Sequence, residues 1–252
     1  MIFHNFPKTV HILGSSEVDR TDLFMGLESS LNLLANPNLN LSEKVDGSNI
    51  GILYDEHGSP LFQHRGQFIT PTKDIEFKKL DDWYNLHENE LFDLITDKFI
   101  LFGEWSYYKH TVKYNKLPSF FLAFDIFNKS EERFLSQKRL QELLKDTSIQ
   151  TIKPLYGEIE IKNTWELEEH SKYKVYFRYV SKLIAKSKYG DEKMEGLYLR
   201  VDDENYNITR AKLVRPNFTA EIKNHWRTQL LRDPKKAPKN KSLNECEKKW
   251  VY

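Results

Sequence analysis

Lys44 lies in the run LSEKVDGSN, flanked by the acids Glu43 and Asp46 and followed by Gly47, Ser48 and Asn49. A lysine acts as a nucleophile when its amine is partly deprotonated and held beside its target. Asp46-Gly47 supplies a tight turn there, because glycine tolerates backbone conformations closed to other residues. By themselves these residues also describe a solvated loop in which Lys44 pairs with Asp46. Other charges shift the balance. Arg65 (FQHRGQFI), Glu104 (LFGEW), and Glu195, Lys212 and Arg215 (MEGLYLRV and RAKLVRPNF) each end or interrupt an apolar run, and Phe124 sits beside Asp125 in LAFDIF. Unpaired buried charge is costly, so this many charges on apolar strands point to a site for a charged ligand. A guanidinium such as that of Arg65 can reach a phosphate or a ribose.

The elements that must position these residues read as a mixture of strands and helices. TDLFMGLESSLNLLANPN begins on Thr21, a capping residue, sets Leu23, Phe24, Leu27, Leu31 and Leu34 on one helical face, and stops at Asn-Pro. Residues 47–69 predict two strands around a His-Gly-Ser-Pro turn, and residues 74–96 a helix with Leu80, Trp83, Leu91, Phe92 and Ile95 apolar. KFILFGEW and SFFLAFDIF read as buried strands, SQKRLQELLKD as a helix, and MEGLYLRVDDENYNITRAKLVR as a hairpin. Segment 151–190 is mixed. From 219 the chain starts helical and turns basic in RDPKKAPKNKS, a surface extension by its composition. Strands and helices are segregated irregularly, which predicts an α+β domain. Neither common glycine-rich phosphate loop is present.

The 252 residues suit one sizeable domain with a small appendage, and 39% hydrophobic content supports a packed core. A net charge of +1 announces no global field for nucleic acid. One cysteine, Cys246, excludes a disulfide framework or a cysteine-rich zinc site. The start lacks the basic and apolar regions of a signal peptide, and no apolar run is long enough for a membrane helix. A soluble, cytoplasmic protein is expected.

The ordered charges resemble the motifs of the covalent nucleotidyltransferases, specifically ATP-dependent RNA ligases of the branch typified by the second RNA ligase of phage T4. Compact bacterial and viral RNA ligase-like proteins are closer still, through FGEWSYYKHTVKYNKLPSFFLAFDIF and MEGLYLRV. The nucleophile motif is EKVDGSN, followed by HRG, GEW, AFDIF, EGLYLR and AKLVR, together spanning residues 43–218. This resemblance implies a nucleotidyltransferase fold of antiparallel sheets with flanking helices, ATP-grasp-like as in ligase adenylation domains. It would occupy residues 1–218, with residues 219–252 a short helical and basic extension too small for an OB-fold domain.

The resemblance also implies roles. Lys44 would attack the α-phosphorus of ATP, giving a lysyl-adenylate and pyrophosphate. Glu43 would help recognise the adenine amino group, Asn49 would sit by the phosphates, Arg65 and Glu104 would bind ribose, and Phe124 would stack on adenine. Glu195 would hold a catalytic metal, Mg²⁺ or Mn²⁺, and Lys212 would contact the α-phosphate. A nearby metal and cationic side chains would lower the pKa of Lys44. The final motif departs from the family by separating Lys212 from Arg215 by three positions, where strand residues two apart share a face; Arg215 reaches the nucleotide only if the strand bends, as Pro216 allows. The implied substrates are RNA with 5′-phosphate and 3′-hydroxyl ends, with an end-healing enzyme or accessory RNA-binding protein as further partners and no membrane. Rival readings are a DNA nick ligase, a GTP-using capping-type enzyme, or a non-catalytic RNA-binding protein of the same fold. Among smaller signals, His110 suits a phosphate contact or a structural role equally. Tyr107, Tyr108, Lys109 and Lys113 interleave aromatics with cations as single-strand binders do. KTVHILGSS, residues 8–16, is a candidate border of the nucleotide site.

Overall fold

The computed structural model describes residues 3–16, 21–64, 66–155, 169–216, 218 and 226–251. Two sheets organise it. The smaller contains β1 (Val10–His11), β2 (Leu39–Lys44), β9 (Gly196–Asp202) and β10 (Asn207–Val214), in the order β1-β10-β9-β2. The larger contains β3 (Ser48–Tyr54), β4 (Pro60–His64), β5 (Gln67–Ile69), β6 (Phe99–Trp105), β7 (Phe121–Asn128) and β8 (Arg133–Phe134), in the order β5-β4-β3-β6-β7-β8. All pairings are antiparallel except β1 with β10. The helices are α1 (Leu27–Leu34), α2 (Lys78–Ile95), α3 (Gln137–Leu144), α4 (Glu169–Leu183), α5 (Trp226–Arg232) and α6 (Glu245–Lys248). The α+β architecture of antiparallel sheets with flanking helices is as the sequence predicts.

Each sheet has its own core. Ile50, Ile52, Leu101, Phe121 and Ile126 of the larger sheet pack with Trp83 and Leu91 of α2. Leu197, Leu199 and Leu213 of the smaller pack with Leu31 and Leu34 of α1 and Tyr176 of α4. Burying such side chains stabilises by about 1.5–3 kcal/mol each. A buried ionic joint connects the sheets. Asp125 on β7, fully buried, accepts from Arg200 Nη1 of β9 at 2.9 Å and from Arg210 Nη1 of β10 at 2.8 Å. Arg200 also donates to Leu135 O at 2.9 Å and to Asp202 Oδ1 at 3.1 Å.

Three expectations are revised. The predicted helix from Thr21 begins only at Leu27, because residues 23–25 pair with β1 instead: His11 N donates to Leu23 O, and Met25 N to His11 O, both at 2.7 Å. Leu23 and Phe24 are therefore exposed. On α2, Leu80, Trp83, Leu91 and Ile95 are buried but Phe92 is 48% exposed, at the edge of the apolar face. The basic tail is not a solvated appendage. Asn240 is fully buried, its side chain donating to Ser106 O at 2.9 Å and accepting from Tyr114 N at 2.9 Å. Glu247, also fully buried, accepts from Ser119 Oγ at 2.6 Å and Phe120 N at 2.8 Å. Among the described residues no helix is long and apolar enough to cross a membrane.

Candidate active site

β2 ends at Lys44 in the smaller sheet and β3 begins at Ser48 in the larger, so Val45–Gly47 carries the chain from one sheet to the other. Two glycines make this possible through close approach. A Cβ on Gly47 would stand 2.6 Å from both Trp105 O and Ser106 Oγ. Gly47 does not have positive φ, so proximity to β6, and not unusual dihedrals, requires glycine there. A Cβ on Gly196 would collide with Leu213 O of β10. With Gly196 opposite Lys44 in register, the preceding Glu195 is delivered to the lysine: Lys44 Nζ lies 2.7 Å from Glu195 Oε1.

The larger sheet supplies the facing wall. Asn49 on β3 is opposite Glu104 on β6. Along β6–β7 the register passes from Phe102↔Asp125 to Gly103↔Ala123, leaving Phe124 as the extra residue of a bulge. A bulge re-aims its side chain relative to a regular strand. The cavity between the sheets, about 260 Å³, is lined by Lys44, Asn49, Glu104, Phe124 and Lys212, with apolar Phe6 and Ile152 and hydroxyl-bearing Thr9, Ser42 and Tyr198.

Its charges are strongly perturbed. Burial raises Glu104 to about 8, against the attraction of Lys44. Burial likewise raises Glu195 to about 7, again opposed by Lys44. Burial would depress the Lys44 amine, but Glu195, Glu104 and Asp46 outweigh it and the net shift is upward. The side chains around Lys44 are thus mainly acidic, so among the protein's own groups the expected depression is reversed. Lys212 does shift down, through burial opposed by Asp22 and reinforced by Lys44.

Among the described predicted residues, Glu195 and Arg215 do not line the cavity. Glu43 contributes to its lining, but its carboxylate accepts from Ser187 Oγ at 2.6 Å and Lys188 N at 2.7 Å, spending both oxygens on a neighbouring loop. Arg215 is not a lining residue: its Nε donates to Met194 O at 3.0 Å and its N–H to Glu195 O at 2.9 Å. As the three-residue spacing implies, it braces the backbone that presents Glu195 instead of facing Lys212's side of the strand. Arg65 lies outside the described residues. Asp46 accepts from Thr111 N at 2.7 Å and Val112 N at 2.8 Å, tying the following loop to the lysine. His110 stacks on Trp226 at 3.8 Å and lies 3.9 Å from Asp46.

Sequence inspection missed Asp22 and the residues that hold it. Asp22 Oδ1 lies 3.5 Å from Lys212 Nζ, and its Oδ2 lies 3.2 Å from His11 Nε2. His11, fully buried on β1 and opposite Lys212 in register, meets Ser15 Oγ at 2.5 Å through Nδ1; Ser15 Oγ accepts from Val214 N at 2.8 Å. The only signal was the His-x-x-x-Ser spacing inside KTVHILGSS.

The residues fit a nucleotide and a divalent cation. Phe124 and Ile152 offer apolar surface to a base, and Lys44 and Lys212 offer cations to phosphates. Glu195 Oε2 is buried with no hydrogen-bond partner among the described residues, an oxygen suited to a metal or its water.

Residues 38–214 match the RNA ligase family, and the chain belongs to that family. The fold agrees with solved RNA ligases of Naegleria gruberi. A variant with AMP and Mn aligns at 15% identity and a TM-score of 0.52, covering 85% of this chain and 61% of that one. The enzyme with pyrophosphate aligns at 15% identity and 0.53, covering 93% and 64%. A variant with ATP and Mn gives 15% identity and 0.52, covering 85% and 62%. This chain therefore spans about three fifths of the length of those proteins. No curated protein sequence matches it.

Proposed function

We propose that the protein seals RNA 5′-phosphate and 3′-hydroxyl ends through a lysyl-adenylate on Lys44, with ATP as the nucleotide donor. The observation that carries this is Lys44 Nζ held 2.7 Å from Glu195 Oε1 beside a cavity that also presents Phe124 and Lys212. The Lys44 amine forms a bond to the α-phosphorus as the bond to the bridging oxygen breaks and pyrophosphate leaves. The AMP then passes to an RNA 5′-phosphate, and a 3′-hydroxyl displaces it. Phosphoryl-type transfer of this kind depends on positioning and on neutralising charge.

The chain's residues divide that work. Phe124 stacks on the base, Glu104 meets the ribose, Asn49 sits by the phosphates, and Lys212 opposes the negative charge at the α-phosphate. Lys44 must lose a proton and leave Glu195 before it attacks. A divalent metal at Glu195, Mg²⁺ or Mn²⁺, supplies charge neutralisation and lowers the amine's pKa.

The test is incubation with Mg²⁺ and α-labelled ATP after treatment with pyrophosphate, which clears any nucleotide already attached. Label that survives denaturation in the wild type and vanishes in Lys44→Ala is the expected result. No label in the pretreated wild type would overturn the assignment, and preferential labelling by GTP would reassign the donor.

A further inference from the structure

Three segments distant in sequence are joined by backbone hydrogen bonds beside the nucleophile. The first, 107–117, is fixed to the Lys44 turn by Asp46, which accepts from Thr111 N and Val112 N. The second, 233–243, runs along it: Lys109 N donates to Pro238 O and Asn240 N to Tyr107 O, both at 2.9 Å, and Lys241 N to Tyr114 O at 3.0 Å. The third, 185–193, joins through Tyr189 O, which accepts from Asn115 N and Lys116 N at 3.1 Å.

Charge is concentrated on this platform. The three segments hold ten lysines and three acidic residues, a net of +7, in a chain whose total is +1. The acids are engaged within it or at its edge: Asp191 with Lys186 at 2.9 Å, Glu192 with Lys113 N at 2.9 Å, and Asp233 with Lys236 at 3.4 Å. Lys113, Lys116, Lys193, Lys235 and Lys241 are exposed. A fixed patch of one sign on a near-neutral protein attracts a polyanion. Of the two tyrosines expected to stack on bases, Tyr107 is buried and donates to Trp250 O at 2.7 Å, and Tyr108 is half-buried with its ring edge-on to Tyr107 at 4.8 Å; Tyr114 is buried too, accepting from Asp46 N at 2.8 Å. What the platform offers outward is ammonium groups.

We propose that this platform grips the phosphate backbone of the RNA strand whose end is joined at Lys44, without reading its sequence. This rests on the ligase assignment above and adds where its substrate lies. The probe is a 5′-phosphorylated single-stranded RNA, its binding followed by anisotropy at several salt concentrations. Replacing Lys235, Lys236, Lys239 and Lys241 together by Gln should weaken binding at least tenfold and flatten the slope of log affinity against log salt by roughly 3, at about 0.7 per phosphate contact. Labelling of Lys44 by ATP should be unchanged. Should that variant fold poorly, Lys113→Gln with Lys116→Gln carries the same expectation at about half the change in slope. Affinity within twofold of the wild type and an unchanged slope, in a protein that still labels, would overturn the platform alone. A wild type that fails to label would overturn the ligase assignment instead.

Discussion

Two buried charge clusters lie within this fold, and they are built on opposite plans. In the joint between the sheets, Asp125 meets two arginines, and Arg200 in turn meets Asp202 and Leu135 O, so that charges of opposite sign alternate at hydrogen-bond distances. Around Lys44 the acids outnumber the lysines. Glu104 and Glu195 are pushed up to about 8 and about 7, chiefly by burial, and Glu195 Oε2 lacks a hydrogen-bond partner among the described residues. A satisfied network fixes geometry. An incompletely compensated one holds chemistry in readiness, because cations arriving with a ligand relieve it. The contrast separates a structural joint from the proposed reactive centre within one protein.

The largest break in that comparison should come from Asp125→Ala. It leaves Arg200 and Arg210 without their shared carboxylate, a loss of about 3–5 kcal/mol for a broken buried pair. Urea denaturation should show the midpoint falling sharply; a change below about 1 kcal/mol would remove the joint's structural standing. Glu195→Gln should do the reverse. Labelling of Lys44 should slow by roughly a hundredfold, the scale of losing one electrostatic contact in a transition state, while the melting temperature holds or rises. A melting temperature that drops as steeply as that of Asp125→Ala would erase the distinction.

The smallest effect sharpens the border between the clusters. Burial, reinforced by Lys212 and opposed by Asp22, lowers His11 to about 4 from 6.5. The unfolded chain binds that proton near pH 6.5 and the folded chain near pH 4, so His11 withdraws stability as pH falls through this window. Wild-type melting should therefore decline faster than that of His11→Gln between pH 6.5 and 4, with parallel curves above pH 7. Parallel curves throughout would show that His11 is not held neutral.

Much of the cavity's lining was legible because charged residues end or interrupt apolar runs. Lys44, Glu104, Glu195 and Lys212 stand out in this way; with Phe124, all but Glu195 line the cavity, and Glu195 is in contact with Lys44. What stayed hidden were partners that lie elsewhere in the fold. Glu43 lines the cavity beside Lys44, but nothing local records that its carboxylate accepts from Ser187 Oγ and Lys188 N. The apolar spacing of Leu23 and Phe24 imitates a helix because nothing local records that residues 23–25 pair with β1. Asp22 is an ordinary surface acid until the parallel pairing of β1 with β10 sets His11 beside Lys212. Asn240 and Glu247 are hidden in a lysine-rich run whose composition suggests solvent.

The burial of Asn240 and Glu247 also sets a timetable. Their partners, Tyr114 and Ser119, are made 126 and 128 residues earlier. Contacts closed over such distances form late in folding, after local pairings have paid the entropy of ordering. While a chain is being synthesised at about 5–20 residues per second, Lys44 and its sheet emerge seconds before the segment that completes the loop beside it. A nascent chain thus carries the proposed nucleophile without the segment that packs beside it. Truncation before residue 240 should yield a protein that is silent, not one that is merely shorter.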